Sequence, residues 1–245
     1  MTLVLTRSDL EAVLAPGTCL EALRDGFLRA RDATITGQRV RTDLPFPGTA
    51  TALIPGVLPG IEAYTVKVNA KFPGGRPALR GVICLHSGRD GELLALLDSA
   101  TLTAWRTGLA AALGTYALAG PGDRLGEPLL RLSDTRAGQH FTSLGADEPG
   151  KQELSADLLG AALLVVDDRE LAAEMGAVAA AGLPATTVDA VLGDVLRGEH
   201  PGRVSGESRT VYAPVGLPWQ DLALSWVAYL VAGREGIGRR VDLLA

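Results

Sequence analysis

The sequence predicts an α/β protein made of two parts, and three observations lead to this prediction. Short apolar runs bounded by proline or glycine fill residues 50–97, a pattern typical of strands. A long helix rich in alanine and leucine follows, beginning near Asp98 and running to about Ala119. Beyond the aperiodic segment 120–127, strand and helix patterns alternate, which indicates a small parallel α/β layer.

The individual elements are placed by the spacing of their polar and apolar residues. Ser8 and Glu11 match a capping box at the start of an N-terminal helix. Strands are predicted at 50–54, 63–68, 82–85, 92–97, 140–144, 163–166, 186–188 and 211–215. Helices are predicted at 155–162, 170–180, 189–198 and 221–232. A glycine-containing turn at 87–91 joins two of the strands as a hairpin.

Composition excludes several classes of function. The 245 residues have a net charge of −5, which argues against nucleic acid or an anionic membrane as a partner. Two cysteines 65 positions apart and three scattered histidines provide no ligand set for a structural metal. The N-terminus has no basic region before an apolar run, so it does not match a signal peptide. We therefore expect a cytoplasmic protein.

Two glycine motifs resemble nucleotide-binding loops but lack essential parts. Residues 145–151 match the spacing of a phosphate loop, yet Gln152 stands where a magnesium-binding serine or threonine is required. The segment 120–122 follows a helix rather than a strand, and its third glycine is at the wrong offset for a dinucleotide fingerprint. Neither motif predicts nucleotide binding.

Three blocks together resemble the ornithine cyclodeaminase/μ-crystallin family: residues 61–120, 144–154 and 215–223. The resemblance implies a dimerisation domain with a mixed sheet, made from both chain ends, and an inserted Rossmann layer. For this chain we expect the dimerisation domain at 1–120 and 205–245 and the layer at 121–204. Family members are NAD(P)-dependent cyclodeaminases, imine or ketimine reductases and amino-acid dehydrogenases, and some members bind small ligands instead.

The resemblance also implies which basic residues hold the carboxylate of a substrate. These are Arg41, Lys67 and Arg106, with Arg39 as a rival of Arg41 for the same alignment. The residue types suit the task, because arginine binds a carboxylate with two parallel hydrogen bonds and lysine adds a compact charge. We expect that replacing Lys67 or Arg106 by alanine weakens carboxylate binding without unfolding the chain.

The resemblance assigns further roles around the reacting atoms. Asp147 matches the family's catalytic carboxylate and would orient water or move a proton at a C–N centre, together with Lys67. Thr107 matches a position near the phosphates of the cofactor, and Val215 and Gly216 could contact a nicotinamide ring. NAD(P) is thus the cofactor that the family implies.

The chain departs from the family in length. Arg106 and Asp147 are 41 positions apart, and about 20 residues separate the long helix from the next strand, whereas one βαβ unit needs roughly 30 residues. The glycine-rich half of the Rossmann domain should therefore be absent, and NAD(P) should not bind tightly. Three hypotheses remain: a family-type enzyme, a non-catalytic dimeric module for a small carboxylate ligand, and a cofactor-independent lyase or hydrolase using Asp147. In each case we expect a homodimer.

Overall fold

A computed structural model describes residues 1–32, 40–72, 74–76, 78–120, 130–145 and 152–243. The strands are β1 (Thr2–Leu5), β2 (Val40–Asp43), β3 (Ala50–Gly56), β4 (Ala63–Lys71), β5 (Leu79–Ser87), β6 (Leu93–Asp98), β7 (His140–Thr142), β8 (Leu163–Val166), β9 (Ala190–Val191), β10 (Thr210–Tyr212) and β11 (Arg239–Val241). The α-helices are α1 (Arg7–Val13), α2 (Pro16–Arg29), α3 (Ser99–Leu118), α4 (Ala156–Gly160), α5 (Arg169–Glu174), α6 (Ala177–Ala180), α7 (Leu192–Arg197) and α8 (Pro218–Glu235). In the described ranges, none of these helices is long and apolar enough to cross a membrane.

The chain divides into two compact units, and both chain ends belong to the first. Unit 1 comprises Met1–Leu109 and Leu217–Ala245, and unit 2 comprises Ala110–Gly216. The boundaries predicted from the sequence, 120/121 and 204/205, differ from the observed boundaries at 109/110 and 216/217, and two contacts account for the difference. Gly114, near the C-terminal end of α3, lies against the ring of Tyr212 in unit 2. The strand β10 pairs with β7 and β8, which places the segment before residue 217 in unit 2.

Unit 1 is built on a mixed sheet, as predicted. Within the described residues the strand order is β11-β1-β6-β5-β4-β3-β2, with β1 parallel to β6 and the other neighbours antiparallel. Alternation along β4 buries Thr65, Lys67 and Asn69 on one face, whereas Val66 and Val68 on the opposite face are half-buried. Helix α8 packs on β3, β4 and β5, and α2 packs on α8.

A glycine allows α2 to approach α8 closely. A Cβ atom on Gly26 would overlap the Trp219 ring, so no larger residue fits without displacing the tryptophan. Phe27 lies edge-on to the same ring, with 4.9 Å between the ring centroids. The first half of α8 is therefore enclosed on several sides, which fixes the side chains that it projects toward the sheet.

The N-terminal helix begins two residues earlier than the sequence predicts. The capping box predicted for Ser8 and Glu11 is wrong, because Thr6 and Asp9 form it instead. The Thr6 amide donates to Asp9 Oδ2 at 2.8 Å, and the Asp9 amide donates to Thr6 Oγ1 at 3.5 Å. Both pairs have the required spacing of three residues, so spacing alone could not decide between them.

Unit 2 contains the predicted parallel layer. In the described part of the chain its order is β7-β10-β8-β9, with every neighbouring pair parallel. Strand β8 coincides with the predicted strand 163–166 and is buried along nearly its whole length. An aliphatic core lies beneath it, formed by residues such as Leu154, Leu158, Leu159, Leu164, Val166, Val178 and Val211.

Several short elements differ from the predictions. Strands β1, β2 and β11 were not predicted, since each has only three or four residues and two of them lie at sheet edges. The predicted helix 170–180 is broken at Gly176, whose φ of +97° is incompatible with a right-handed helix. The predicted helix 189–198 begins as strand β9, because Ala190 pairs with Val165. The predicted strand 186–188 is a 3-10 turn at Ala185–Thr187.

Candidate functional site

Lys67 lies on the inner face of β4 and is 1 % exposed. Its Nζ atom is 2.6 Å from Thr103 Oγ1 and 3.0 and 3.1 Å from the two carboxylate oxygens of Asp221. An ammonium group donates through three protons, and both neighbours provide oxygen acceptors for it. A buried charge requires such pairing, because an isolated ammonium would lose its hydration without compensation.

The counter-ion is positioned by the start of α8. Pro218 occupies the first turn, where its fixed φ suits a helix and its missing N–H is not needed. Asp221 follows in the same turn, where the helix dipole favours a carboxylate. The Asp221 side chain is 3 % exposed, so both members of the Lys67–Asp221 pair are shielded from water.

Arg106 is the second cation next to Asp221. It lies in the middle of α3 with 13 % of its side chain exposed, and its Nε is 3.6 Å from Asp221 Oδ1. That distance is longer than a hydrogen bond, and among the described residues Nε has no hydrogen-bond partner. We call Lys67, Thr103, Arg106 and Asp221 the charged cluster. Two cations share one carboxylate in it, an arrangement that favours an additional anion.

The structure brings Lys67 and Arg106 together at Asp221, whereas Arg41 is exposed and pairs with another carboxylate. Arg41 pairs in register with Ala52, which pairs with Asn69, so Arg41 lies on the same sheet face as Lys67. Its side chain is 60 % exposed and forms an ion pair of 2.9 Å with Asp43. Arg39, its rival in the sequence alignment, lies outside the described residues. A role for Arg41 in carboxylate binding stays a prediction.

The predicted catalytic Asp147 also lies outside the described residues, and residues on both sides of it contact each other. Glu153 accepts hydrogen bonds from Ser143 Oγ at 2.6 Å and from the Gly145 amide at 2.9 Å. A Cβ atom on Gly145 would overlap the Glu153 carboxylate, so a larger residue would have to displace the end of that side chain. Thr107, the residue assigned to the cofactor phosphates, is half-buried in α3.

The turn at Val215 and Gly216 is held by a buried carboxylate. The Val215 amide donates to Asp167 Oδ1 at 3.0 Å, and the Gly216 amide donates to Oδ2 at 2.6 Å. Gly216 has a φ of +95°, a conformation that favours glycine. Burial raises the pKa of Asp167, although the two amides act in the opposite direction. Since these amides are engaged with Asp167, a nicotinamide contact here would use other atoms of the turn.

Asp167 should make stability depend on pH with a definite sign. Its native pKa lies above the ordinary value of 3.8, so its stabilising contribution is complete below pH 3.8 and is lost as the pH rises through the native pKa. The free energy of unfolding of the wild type, relative to Asp167→Asn, should therefore decrease as the pH rises. Urea unfolding between about pH 3 and pH 8 measures this difference.

The same experiment has a control of opposite sign. A hydrogen bond from Ser155 lowers the pKa of Asp157, so the contribution of Asp157 is present above pH 3.8 and is lost as the pH falls through the native pKa. Relative to Asp157→Asn, the wild type should gain stability as the pH rises. Equal slopes for the two variants would contradict the role of burial at Asp167.

Among the described residues between α3 and β7, no element binds the diphosphate of a dinucleotide in the manner of a Rossmann domain. Helix α3 ends at Leu118 and β7 begins at His140. Between them, the described residues form a 3-10 turn at Leu132–Asp134 and an isolated bridge at Leu130, with no strand, glycine-rich turn and helix in succession. A dinucleotide needs that succession because amides at a helix N-terminus bind its phosphates. The described ranges also contain no group of three acidic, histidine or cysteine residues that could hold a metal.

Sequence reasoning did not identify Asp221, Thr103 or Asp167 as site residues. Asp221 stands in one of the resembling blocks, just after a proline that starts a helix, and this was its only sequence signal. Its partner Lys67 is 154 positions away. No local pattern relates residues at that separation, so the pairing becomes apparent only in the fold.

Comparison with known proteins finds relatives of the ornithine cyclodeaminase/mu-crystallin type. The profile of the ornithine cyclodeaminase/mu-crystallin family matches residues 126–234. The chain is 35 % identical to an alanine dehydrogenase of Archaeoglobus fulgidus over 119 residues, which span 47 % of this chain and 37 % of that protein. It is 26 % identical to a Delta(1)-pyrroline-2-carboxylate reductase of Bacillus cereus, over 83 % of this chain and 88 % of the reductase. That alignment has 287 positions, more than the 245 residues present, so it opens gaps in this chain.

Solved structures show the same fold. An archaeal alanine dehydrogenase dimer with bound NAD aligns with a TM-score of 0.89 and 22 % identity, covering 99 % of each chain. The Thermococcus litoralis Delta(1)-pyrroline-2-carboxylate reductase in complex with NADH and L-proline aligns with a TM-score of 0.87 and 20 % identity, covering 98 % of this chain and 100 % of that one. At these sequence identities the similarity establishes the fold of the chain. It does not identify a ligand.

Proposed function

Because the chain belongs to the ornithine cyclodeaminase/mu-crystallin family, we propose that it binds a small amino or imino acid by its carboxylate at the charged cluster. The observation that supports this most directly is Arg106. Its guanidinium is largely buried, its Nε has no hydrogen-bond partner among the described residues, and the carboxylate beside it is shared with Lys67. A ligand carboxylate would supply the acceptor that this Nε lacks.

The two cations have different tasks in this proposal. The contacts of Lys67 with Thr103 and Asp221 hold its ammonium in place, so it contributes mainly positive charge. Arg106 has a planar fork of donors that suits a carboxylate in a two-point contact. Arg106 therefore fixes the orientation of the ligand, and Lys67 strengthens the attraction.

Binding should depend on Arg106. Replacing Arg106 by alanine removes charge-assisted hydrogen bonds worth about 1.5–3 kcal/mol, so the dissociation constant for a small carboxylate should rise roughly 10- to 150-fold. Arg106→Lys retains the charge without the fork and should recover only part of the loss. Calorimetry with L-proline and pyrrole-2-carboxylate measures the effect.

The matched control is Arg89→Ala, because Arg89 is 79 % exposed and pairs with Glu62 away from the charged cluster. This variant should bind like the wild type. If Arg106→Ala also binds both ligands like the wild type, the proposed carboxylate contact does not exist.

A family-type enzyme is the second candidate. Alignment through 88 % of a pyrroline-2-carboxylate reductase supports it, as does the presence of Lys67, Arg106 and Asp147 in one chain. Such an enzyme would carry out NAD(P)-linked cyclodeamination, imine reduction or amino-acid dehydrogenation. Thr107 and the Val215–Gly216 turn would then contact the cofactor. Turnover of 1-pyrroline-2-carboxylate with NADH or NADPH, lost in Asp147→Asn, would favour the enzyme over the binding module.

We further propose that the chain is a homodimer through residues of the first 120 and the C-terminal helix. The outer face of the unit 1 sheet presents aliphatic side chains that are only half-buried, including Val66, Val68, Cys84 and Leu96. Val66 pairs in register with Cys84, which pairs with Leu96, and Val68 lies two positions further along β4. Burying one further leucine or valine contributes about 1.5–3 kcal/mol, so a second copy on this face would add substantial stability.

Sedimentation should therefore show a dimer at micromolar concentration. Val66→Glu places a charge within the outer face and should convert the dimer to a monomer, since an ionised carboxylate is costly to bury. The control Arg24→Glu changes an exposed residue on α2 and should leave the dimer intact. A wild-type monomer in analytical ultracentrifugation would overturn the proposal.

A further inference from the structure

Two strands of unit 2 bring a phenol and a carboxylate to the same face of the parallel layer. Tyr212, the last residue of β10, pairs in register with Val165 on β8. Asp167 follows Val165 by two positions, so the alternation of side chains places it on the same face as Tyr212. The opposite face carries the aliphatic core, which includes Val166 and Val211. Asp167 and Tyr212 are therefore diagonal neighbours, at a separation that an aromatic side chain can span.

The hydroxyl group of Tyr212 is buried without a hydrogen-bond partner. The residue is 0 % exposed, and its Oη atom has no partner in the part of the chain that the structure describes. A Cβ atom on Gly114 would overlap the Tyr212 ring, so α3 packs directly on it. Burial raises the pKa of Tyr212, and the charge of Asp167 raises it further, so the two groups lie within electrostatic range of each other. A buried hydroxyl without a partner is costly, which favours any state that supplies one.

The Asp167 carboxylate is subject to two opposing effects. Its Oδ1 atom accepts hydrogen bonds from the amides of Val215 and Asp168 at 3.0 and 3.1 Å, and its Oδ2 atom accepts one from the Gly216 amide at 2.6 Å. These three bonds favour the ionised form. Burial favours the protonated form and is the larger of the two effects on the pKa of Asp167, which is raised. The ionised form suits the turn, and the protonated form suits the buried surroundings.

We propose that Asp167, Tyr212 and the Val215–Gly216 turn form a latch that a proton opens. When Asp167 is ionised, its carboxylate holds both amides of the turn. When a proton from solvent binds Oδ2, this oxygen becomes a donor, releases the Gly216 amide and donates to the hydroxyl oxygen of Tyr212. Gly216 is the last residue of unit 2, so the latch acts on the segment by which the chain leaves that unit.

The charged groups near Asp167 are few among the residues of unit 2 that the structure describes. Asp168 follows it in the chain, and its charge opposes the ionised form. Arg169 directs its guanidinium to backbone carbonyl oxygens at residues 185–189 rather than to Asp167. From the neighbouring strand, Tyr212 is the titratable group. No printed cation therefore compensates the charge of Asp167 within the described part of unit 2, and a proton can take that role.

The part of α3 that belongs to unit 2 adds no charge to this face. It carries one titratable side chain, Tyr116, which is 89 % exposed. The residue that meets the Tyr212 ring from this helix is Gly114. Protonation of Asp167 is thus decided by burial, by the amides that it accepts and by the phenol beside it.

An NMR titration of the wild-type protein between about pH 3 and pH 9 tests the latch. The carboxyl carbon signal of Asp167, identified by its absence in Asp167→Asn, gives the midpoint of the titration. The amide signal of Gly216 should change with the same midpoint, because this amide gains and loses the carboxylate as its partner. The amide signal of Val215 should change less, since Oδ1 remains an acceptor in both states.

The variant Tyr212→Phe removes the acceptor of the Asp167 proton and retains the ring that packs on α3. The protonated form then loses one hydrogen bond, so the acid dissociation constant of Asp167 should rise roughly 2- to 12-fold and the midpoint should move to lower pH. A phenol that instead donated to the ionised carboxylate would give a shift of the opposite sign. Tyr116→Phe is the matched control on the exposed side of α3 and should leave the midpoint unchanged.

Three results would each overturn the latch. An Asp167 carboxyl group that keeps one protonation state throughout the titration would leave the proton without a role. A Gly216 amide that does not follow Asp167 would show that the turn is held in both states. A midpoint in Tyr212→Phe that is unchanged or higher would exclude Tyr212 as the acceptor. The first two results come from the wild type, so they are decisive even if Tyr212→Phe does not fold.

Discussion

Replacing Lys67 by methionine is expected to lower the free energy of unfolding by about 3–5 kcal/mol. The methionine side chain fills much of the same volume, but Asp221 would retain its charge at 3 % exposure without the ammonium that compensates it. Urea unfolding followed by circular dichroism measures the change, with equal m-values required for a direct comparison. A loss below about 1 kcal/mol would show that the pair is not energetically coupled in the folded protein.

Two further variants test whether the effect comes from the uncompensated charge. Lys67→Met combined with Asp221→Leu removes both charges and should recover much of the lost stability, as is common when a buried ion pair is replaced by apolar residues. Arg24→Met changes an exposed cation on α2 and should cost less than about 1 kcal/mol. The sequence predicts that Lys67 can be replaced without unfolding the chain. Because Lys67 is buried, we now expect its replacement to lower the free energy of unfolding as well. Arg106 is the better position for testing ligand binding.

NADH and NADPH are expected to bind only weakly, with a dissociation constant of roughly 1 mM, or around −4 kcal/mol. The described residues between α3 and β7 provide no helix N-terminus for the diphosphate, and the chain already has a net charge of −5. Any affinity would come from the nicotinamide end. Calorimetry and fluorescence of Trp105, Trp219 and Trp226 measure the binding.

Reduced nicotinamide mononucleotide provides a control ligand for this binding experiment. Reduced nicotinamide mononucleotide lacks the adenylate half of NADH, so the two should bind with similar affinity if only the nicotinamide end is recognised. In a complete Rossmann domain the dinucleotide would bind far more tightly than its half. A dissociation constant below about 10 μM for NADH or NADPH would restore the reductase as the leading function.

The sequence was most informative where a signal is local or where a whole block resembles known relatives. Strand β8 was predicted with its observed limits, because four consecutive branched aliphatic residues follow two alanines and end directly before Asp167 and Asp168. Helix α8 was predicted within three residues at either end by its apolar face. The mixed sheet followed from resemblance to the family rather than from any pattern in the strands themselves.

The parts that could not be predicted depend on distant contacts. Strand β1 is four residues long and is stabilised by pairing with β6 and β11 from opposite ends of the chain. The resemblance identified Lys67 and Arg106 as basic site residues, but not the carboxylate that joins them. Choosing Asp221 among 28 acidic residues requires knowing that α8 crosses β4, and no single-sequence pattern contains that information.

The interrupted course of unit 1 has a consequence for the order of folding during synthesis. Unit 2 is continuous in sequence, so all of its residues have been translated before α8 is complete. Unit 1 includes α8, and until α8 leaves the ribosome Asp221 cannot contact the ammonium of Lys67. Domains generally fold as units during synthesis, from the N-terminus onward. The charged cluster is therefore assembled only after α8 has been translated, and a nascent chain stalled before residue 221 lacks Asp221.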